Sequence, residues 1–232
     1  MIVTIDGPAG AGKSSVARKL ASQLRFCFLD TGAMYRAVTL AALRGHWDFE
    51  DQAAVANATR PLKYEYQSEV VLLDGVDVSQ EIRDPAVSRR IHHVADNPFV
   101  REILVQWQRQ WAVGKDLVTE GRDQGTVVFP NAECKIFLTA TDAERARRRW
   151  QELQNAGQLG SLQQVLNDQT ERDRRDRERS VGALRQADDA VQVSTDGMSC
   201  DEVVAQIAQM VDVKRQTAVK NQYGGGRSHR QP

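Results

Sequence analysis

What this sequence lacks narrows it first. Its three cysteines, Cys27, Cys134 and Cys200, are odd in number and far apart, and the first two sit inside the apolar runs Phe26-Cys27-Phe28-Leu29 and Cys134-Lys135-Ile136-Phe137-Leu138. That argues against a disulfide framework and against a cysteine metal knuckle, and it predicts buried, reduced thiols. Net charge is missing too. The 31 basic and 31 acidic side chains cancel, so no whole-molecule field points to nucleic acid or an anionic membrane as partner. No apolar run approaches the roughly 20 residues that a bilayer span requires. The first apolar run starts at residue 2, from which we expect no signal or transit peptide and a cytoplasmic protein. There is no internal repeat, and no Asn-Lys-x-Asp string of the kind that reads guanine in switch GTPases.

What is present is a phosphate-binding signature. Gly7-Pro8-Ala9-Gly10-Ala11-Gly12-Lys13-Ser14, followed by Ser15, lies between the apolar run Ile2-Val3-Thr4-Ile5 and the helical pattern Val16-Ala17-Arg18-Lys19-Leu20-Ala21. This is a G-x-x-x-x-G-K-[ST] loop joining a strand to a helix. Its glycines let backbone N–H groups converge on a di- or triphosphate, and the helix N-terminus adds unpaired amides and its positive dipole end. Lys13 is placed to reach the β- and γ-phosphates of ATP, and the Ser14 hydroxyl to bind Mg²⁺. The loop implies a nucleotide without saying which reaction.

The 41% apolar content supports a real core, either one large domain or a core with a small insert. Short apolar runs at 2–5, 26–29, 117–119, 134–138 and 190–193, separated mostly by helical patterns, predict a doubly wound α/β core with a buried parallel sheet. Between the second and third runs the pattern changes. Residues 62–66, 70–73 and 76–78, with turns between them, read as a small antiparallel meander. Helices then follow over 85–95 and 98–113, each opened by a proline at a position where the missing N–H does no harm. The segment 141–179 reads as two helices, with Thr141 and Glu144 forming a capping box and the second helix beginning near Ser161. The stretch from Lys214 carries five basic residues and no acid, with three consecutive glycines, and predicts a basic tail without fixed structure over 214–232.

Arginines cluster where loops should meet the phosphates. Arg36 follows the second strand; Arg122 and Asp123 follow the third. Both places are at carboxyl ends of parallel strands, where open α/β sheets bind ligands. Within Glu171-Arg172-Asp173-Arg174-Arg175-Asp176-Arg177-Glu178-Arg179, a helical wheel puts Arg172, Arg175, Asp176 and Arg179 on one face and sends Asp173, Arg174, Arg177 and Glu178 elsewhere. That face is either a phosphate grip or a solvated surface laced by i,i+4 pairs. Arg145 and Arg149, one turn apart on the preceding helix, either hold the donor nucleotide or form a wet face.

With these strings in view, the chain resembles the bacterial cytidylate kinases, P-loop nucleoside monophosphate kinases. The resemblance runs to about residue 212. It is carried by Ile5-Asp6-Gly7-Pro8 with the loop, by Leu29-Asp30-Thr31-Gly32-Ala33-Met34-Tyr35-Arg36, by Leu73-Asp74-Gly75-Val76-Asp77-Val78 and by Pro98-Phe99-Val100-Arg101. The most specific string is Gly121-Arg122-Asp123-Gln124-Gly125-Thr126-Val127-Val128-Phe129-Pro130, and Glu171-Arg172-Asp173-Arg174-Arg175-Asp176 completes the set.

The resemblance implies a P-loop kinase core over 1–59 and 101–213, a monophosphate-binding insert over 60–100 and a lid over about 157–182. It implies Mg²⁺-dependent transfer of the γ-phosphoryl group of ATP to CMP or dCMP by a monomer. Lys13, Arg122 and Arg179 would be catalytic. Arg36, Arg122 and Arg179 would hold the acceptor phosphate, Asp176 and Arg172 its ribose, and Arg101 and Asp123 its cytosine, with Thr31 and Tyr35 beside it. One departure stands out: His92, followed by His93, occupies the place where this family usually presents a serine to the base. Either the imidazole takes over with altered selectivity or the residue lies on the surface. Two other readings compete: a P-loop kinase for a small alcohol such as a cyclitol acid, and a nucleotide-dependent switch. Both leave the second arginine set without a purpose.

Overall fold

In a computed structural model of the chain, the described residues are 1–67, 69–155 and 157–224, with side chains to residue 217. The opening apolar run becomes β1 (Ile2–Asp6), and the phosphate loop leads into α1 (Lys13–Leu24). Next come β2 (Cys27–Asp30), α2 (Thr31–Arg44), α3 (Gln52–Thr59), the meander β3 (Tyr64–Gln67), β4 (Val70–Leu73) and β5 (Val76–Asp77), and α4 (Pro85–Ala95) and α5 (Pro98–Ala112). The chain returns to the core with β6 (Leu117–Gly121), a π-turn (Gln124–Val128) and β7 (Cys134–Thr139). It then forms α6 (Asp142–Asn155), α7 (Leu162–Glu178), β8 (Val191–Ser194) and α8 (Cys200–Gly224).

Five strands pair in parallel in the order β2-β6-β1-β7-β8, and β3-β4-β5 form a separate antiparallel sheet. The five apolar runs are therefore the five core strands. The three central strands β6, β1 and β7 are buried on both faces, so their side chains alternate between two cores. Leu29 and Leu117 point to one cluster with α2, α4, α5 and the meander; Val118, Ile5 and Ile136 belong to a second, against α1 and α8. The carboxyl ends of β1, β2 and β6 thus open toward one rim. At that rim lie the phosphate loop, the start of α2 and the π-turn.

Three expectations need correction. Helix α8 continues through Gly224, so residues 214–224 are helical rather than an unstructured tail, and residues 225–232 lie outside those described. Nothing between Lys214 and Tyr223 breaks a helix; the first glycine is Gly224. Cys27 and Cys200 are exposed, and only Cys134 is buried. Cys27 opens an edge strand and Cys200 opens a helix, positions where an apolar neighbourhood in sequence does not become burial. The capping box at α6 is half made: Thr141 Oγ1 accepts from the Glu144 amide at 3.4 Å, but the Thr141 amide goes to Asp196, while Glu144 pairs with Arg147 and Arg148.

Candidate active site

The phosphate loop ends in an open anion site. Gly12 leads into α1 without a side-chain cap, and the first turn carries no acid, so the leading amides are free for an anion. Lys13 is 5% exposed and its ammonium donates to the Pro8 carbonyl at 2.8 Å. Burial, followed by the positive charge of Arg122, pushes its pKa down to about 7. Glu120 and Asp176 oppose that shift only in part, and a phosphate beside the ammonium would favour its charged form. Ser14 is exposed and donates to Glu120 Oε1 at 2.9 Å. A hydroxyl and a carboxylate are hard oxygen donors, the set that suits Mg²⁺.

Opposite the loop, α7 brings a second group of charges to the rim. Asp176 accepts from Arg122 Nε and Arg179 Nη2, both at 2.7 Å, and Arg179 Nε donates to Asp96 at the end of α4 at 2.6 Å. Burial raises and the two arginines lower the Asp176 pKa, with the net shift downward. Arg172 lines the same cleft, open to solvent yet crowded by protein. Desolvation there, followed by the charge of Arg122, lowers its pKa to about 10. Arg36 is close enough to Arg172 for their charges to repel; it donates to Ser88 Oγ at 2.8 Å, tying α2 to α4. These guanidiniums come from α2, the β6 end, and α7, yet they converge.

Deeper in the cleft Arg101 and Asp123 form a buried ion pair, 3% and 6% exposed at the side chain. The Arg101 guanidinium lies 5.5 Å over the Tyr35 ring, donates to the Ala95 carbonyl at 3.1 Å and leaves its Nε without a partner. A buried, under-satisfied pair of a donor group and an acceptor group is suited to a ligand that offers both.

A family model for cytidylate kinase matches residues 3–213. The chain belongs to the cytidylate kinase family. It is 51% identical over 211 residues to a cytidylate kinase of Rhodopirellula baltica, covering 91% of this chain and 92% of that one. It is 46% identical over 209 residues to a cytidylate kinase of Caldanaerobacter subterraneus subsp. tengcongensis, covering 90% and 93%. A solved structure of an uncharacterized protein from Eubacterium ventriosum aligns with a TM-score of 0.50 at 12% identity over 91% of this chain and 98% of that one. That last likeness concerns the fold alone.

Within this kinase several sequence-derived residues do not stand where they were expected. Asp173 is 2% exposed, not on an outer face: it pairs with Arg145 at 2.5 Å and accepts from the Ala9 amide at 3.3 Å. Arg145, also 2% exposed, donates to the Ala9 carbonyl at 2.7 Å and the Ala140 carbonyl at 3.2 Å. The Arg145–Asp173 pair therefore holds both sides of the Ala9 peptide and braces the phosphate loop from α6 and α7; with Nη2 also donating to Asp142 at 2.5 Å, most of the Arg145 donors are spent within the protein. Arg149 is exposed and paired with Glu152 at 2.9 Å. Arg148, which the i,i+4 pairing passed over, donates to the Thr195 hydroxyl and carbonyl at 2.9 and 2.8 Å, beside Gly12. Its i,i+3 spacing from Arg145 was the available signal. Thr31 spends its hydroxyl on the Glu120 carbonyl at 2.7 Å. His92 is half-buried, its ring 4.1 Å from that of His93; burial and then the charges of His93 and Arg175 lower its pKa.

Proposed function

We propose how this cleft performs its reaction, the transfer of the γ-phosphoryl group of ATP to CMP or dCMP to give ADP and CDP or dCDP. The uncapped start of α1 and Lys13 hold the donor phosphates; Ser14 holds Mg²⁺, which supplies charge neutralisation on the phosphates when bound. Arg36, Arg122 and Arg179 take the acceptor phosphate, exchanging part of their contact with Asp176 for it. Asp176 and Arg172 then serve the ribose, and Asp123 with Arg101 the base. Cytosine presents an amine donor beside two acceptors, which match a carboxylate and a guanidinium. Uracil offers a carbonyl at the amine position and leaves a buried carboxylate facing it, the mismatch that specificity in buried polar sites rests on.

No general base is required. The acceptor oxygen is already anionic at neutral pH, so catalysis consists of bringing it in line and neutralising charge. Water must be kept out, and residues 60–100 and 157–182 are the insert and lid that close to do so. All residues given a role belong to one chain, so a monomer can act, and we place it in the cytoplasm on small-molecule substrates.

The observation that carries this reading is Asp176 held between Arg122 and Arg179, with Arg172 adjacent, across from the uncapped phosphate loop. A coupled assay offering CMP, dCMP, UMP, AMP and shikimate with ATP tests it. Transfer to CMP and dCMP well above UMP is expected. ATP hydrolysis without acceptor-dependent transfer would overturn it.

A further inference from the structure

Asp6 is the last residue of β1, immediately before the phosphate loop, and it is 4% exposed. Its carboxylate takes two amides of the turn that follows β6. Oδ1 accepts from the Gln124 amide at 2.8 Å and Oδ2 from the Gly125 amide at 2.7 Å. Those amides open the π-turn that directly follows Arg122 and Asp123, and the turn has no side-chain cap of its own. Asp6 caps it from the neighbouring strand, where it stands in register with Gly121 at the end of β6. Lys13 and Asp123 flank the same carboxylate closely enough to act on its charge, one from the donor side and one from the acceptor side.

The turn is held at other points too. Gln124 bridges Thr119 and Gln108 at 3.0 Å each, and Arg109 donates to the carbonyls of Val127 and Val128. Those ties fix the side chain of Gln124 and the end of the turn. The Asp123 carbonyl accepts from the Val127 and Val128 amides at 2.8 and 3.1 Å, and Asp6 supplies the side-chain anchor for the two amides that follow Asp123. A carboxylate has two acceptor oxygens for two convergent N–H donors; an amide in its place would turn one NH₂ against a backbone N–H.

We propose that Asp6 is a positioning residue, setting the place of Asp123 and Arg122 from the floor of the phosphate loop so that acceptor recognition is built onto the donor strand. The proposal rests on Asp123 reading the base. It gives the acceptor pocket a fixed distance from the donor phosphates, the distance an in-line transfer needs.

Steady-state kinetics on the full chain test it, with three variants and both acceptors. Asp6→Asn should raise KM for CMP by about tenfold and lower the CMP-to-UMP ratio of kcat/KM, with KM for ATP changing less than about twofold. Gly125→Ala keeps the carboxylate but displaces the turn, since its Cβ would lie 3.0 Å from Thr4 Oγ1 and 3.3 Å from Asp6 Oδ2; it should shift the same two quantities in the same direction. Thermal melting checks that each variant folds, and Gly125→Ala carries the test if Asp6→Asn does not. Asp123→Asn is the reference for base reading. If it alters the ratio while the other two variants leave it unchanged, or raise KM for ATP and CMP equally, the role of Asp6 is overturned and the base reading stands. If Asp123→Asn itself leaves the ratio unchanged, the base reading falls and the proposal with it.

Discussion

At the level of single residues, Lys13 carries an unusual charge balance. Burial lowers its pKa to about 7 from 10.5, so the folded protein favours the neutral amine while the unfolded chain stays protonated up to pH 10.5. Between these values the unfolded state binds more protons, and stability rises with pH. Lys13 should therefore contribute a gain in stability as pH rises from 7 toward 9, read by denaturant unfolding as the difference in slope between the wild-type chain and Lys13→Met. Polyphosphate reverses the preference. ATP binding at pH 8 should take up protons, visible as a buffer-dependent calorimetric enthalpy, and no buffer dependence would count against Lys13 as the phosphate ligand. The Arg145–Asp173 pair gives a second test. Arg145→Met leaves a 2%-exposed carboxylate unpaired and should cost about 3–5 kcal/mol; Arg149→Ala, which breaks only an exposed pair, should cost less than about 1 kcal/mol.

Among the elements, α7 is the one whose two faces do different work. Arg174 is exposed and paired with Glu171 and Glu178 on its own helix, whereas Arg179 is 6% exposed at the side chain and joins Asp176 to Asp96. Arg179→Ala should lower kcat by about 10²–10³-fold, the usual loss for a charge-stabilising donor, while Arg174→Ala stays within about twofold of wild type. Equal losses would remove the transfer role of that face. The loop after α7 adds a further test. Gly182 has φ 68°, and a methyl there would overlap the Arg101 guanidinium and the Asp123 carboxylate. Gly182→Ala should therefore raise KM for CMP by about tenfold or more, and leave KM for ATP nearly unchanged. The wheel drawn from the sequence found Arg172, Asp176 and Arg179 but put Asp173 outside. A helix gripped on two sides has no single buried stripe, and periodicity cannot show which side meets the phosphate loop.

At the scale of the molecule, the two cores on opposite faces of the parallel sheet make the strand ends the rigid part. Two ties cross that rim, from Arg36 to Ser88 and from Arg179 to Asp96. The Arg36–Ser88 tie is exposed, whereas the Arg179–Asp96 pair joins a buried guanidinium to a half-exposed carboxylate. The distal end of α8 stands apart from this machinery; its Arg215 lies 4.6 Å over the Phe26 ring. Ending the chain after Val213 should leave both KM values and kcat unchanged and cost about 0.5–1 kcal/mol of stability, measured by melting.

The sequence by itself determined the parallel strands, the meander, the phosphate loop and the family, because apolar runs, prolines and a glycine-rich loop act through local backbone preference and burial. The family resemblance also pointed to Arg36, Arg101, Arg122, Asp123, Arg172, Asp176 and Arg179 as candidate site residues. Only the tertiary structure decided which charges are paired with which. Asp6 with the π-turn, Asp173 with Arg145 and Asp96 with Arg179 join residues 118, 28 and 83 positions apart. A buried charge is defined by its partner, and a partner that far along the chain leaves no mark on the local pattern.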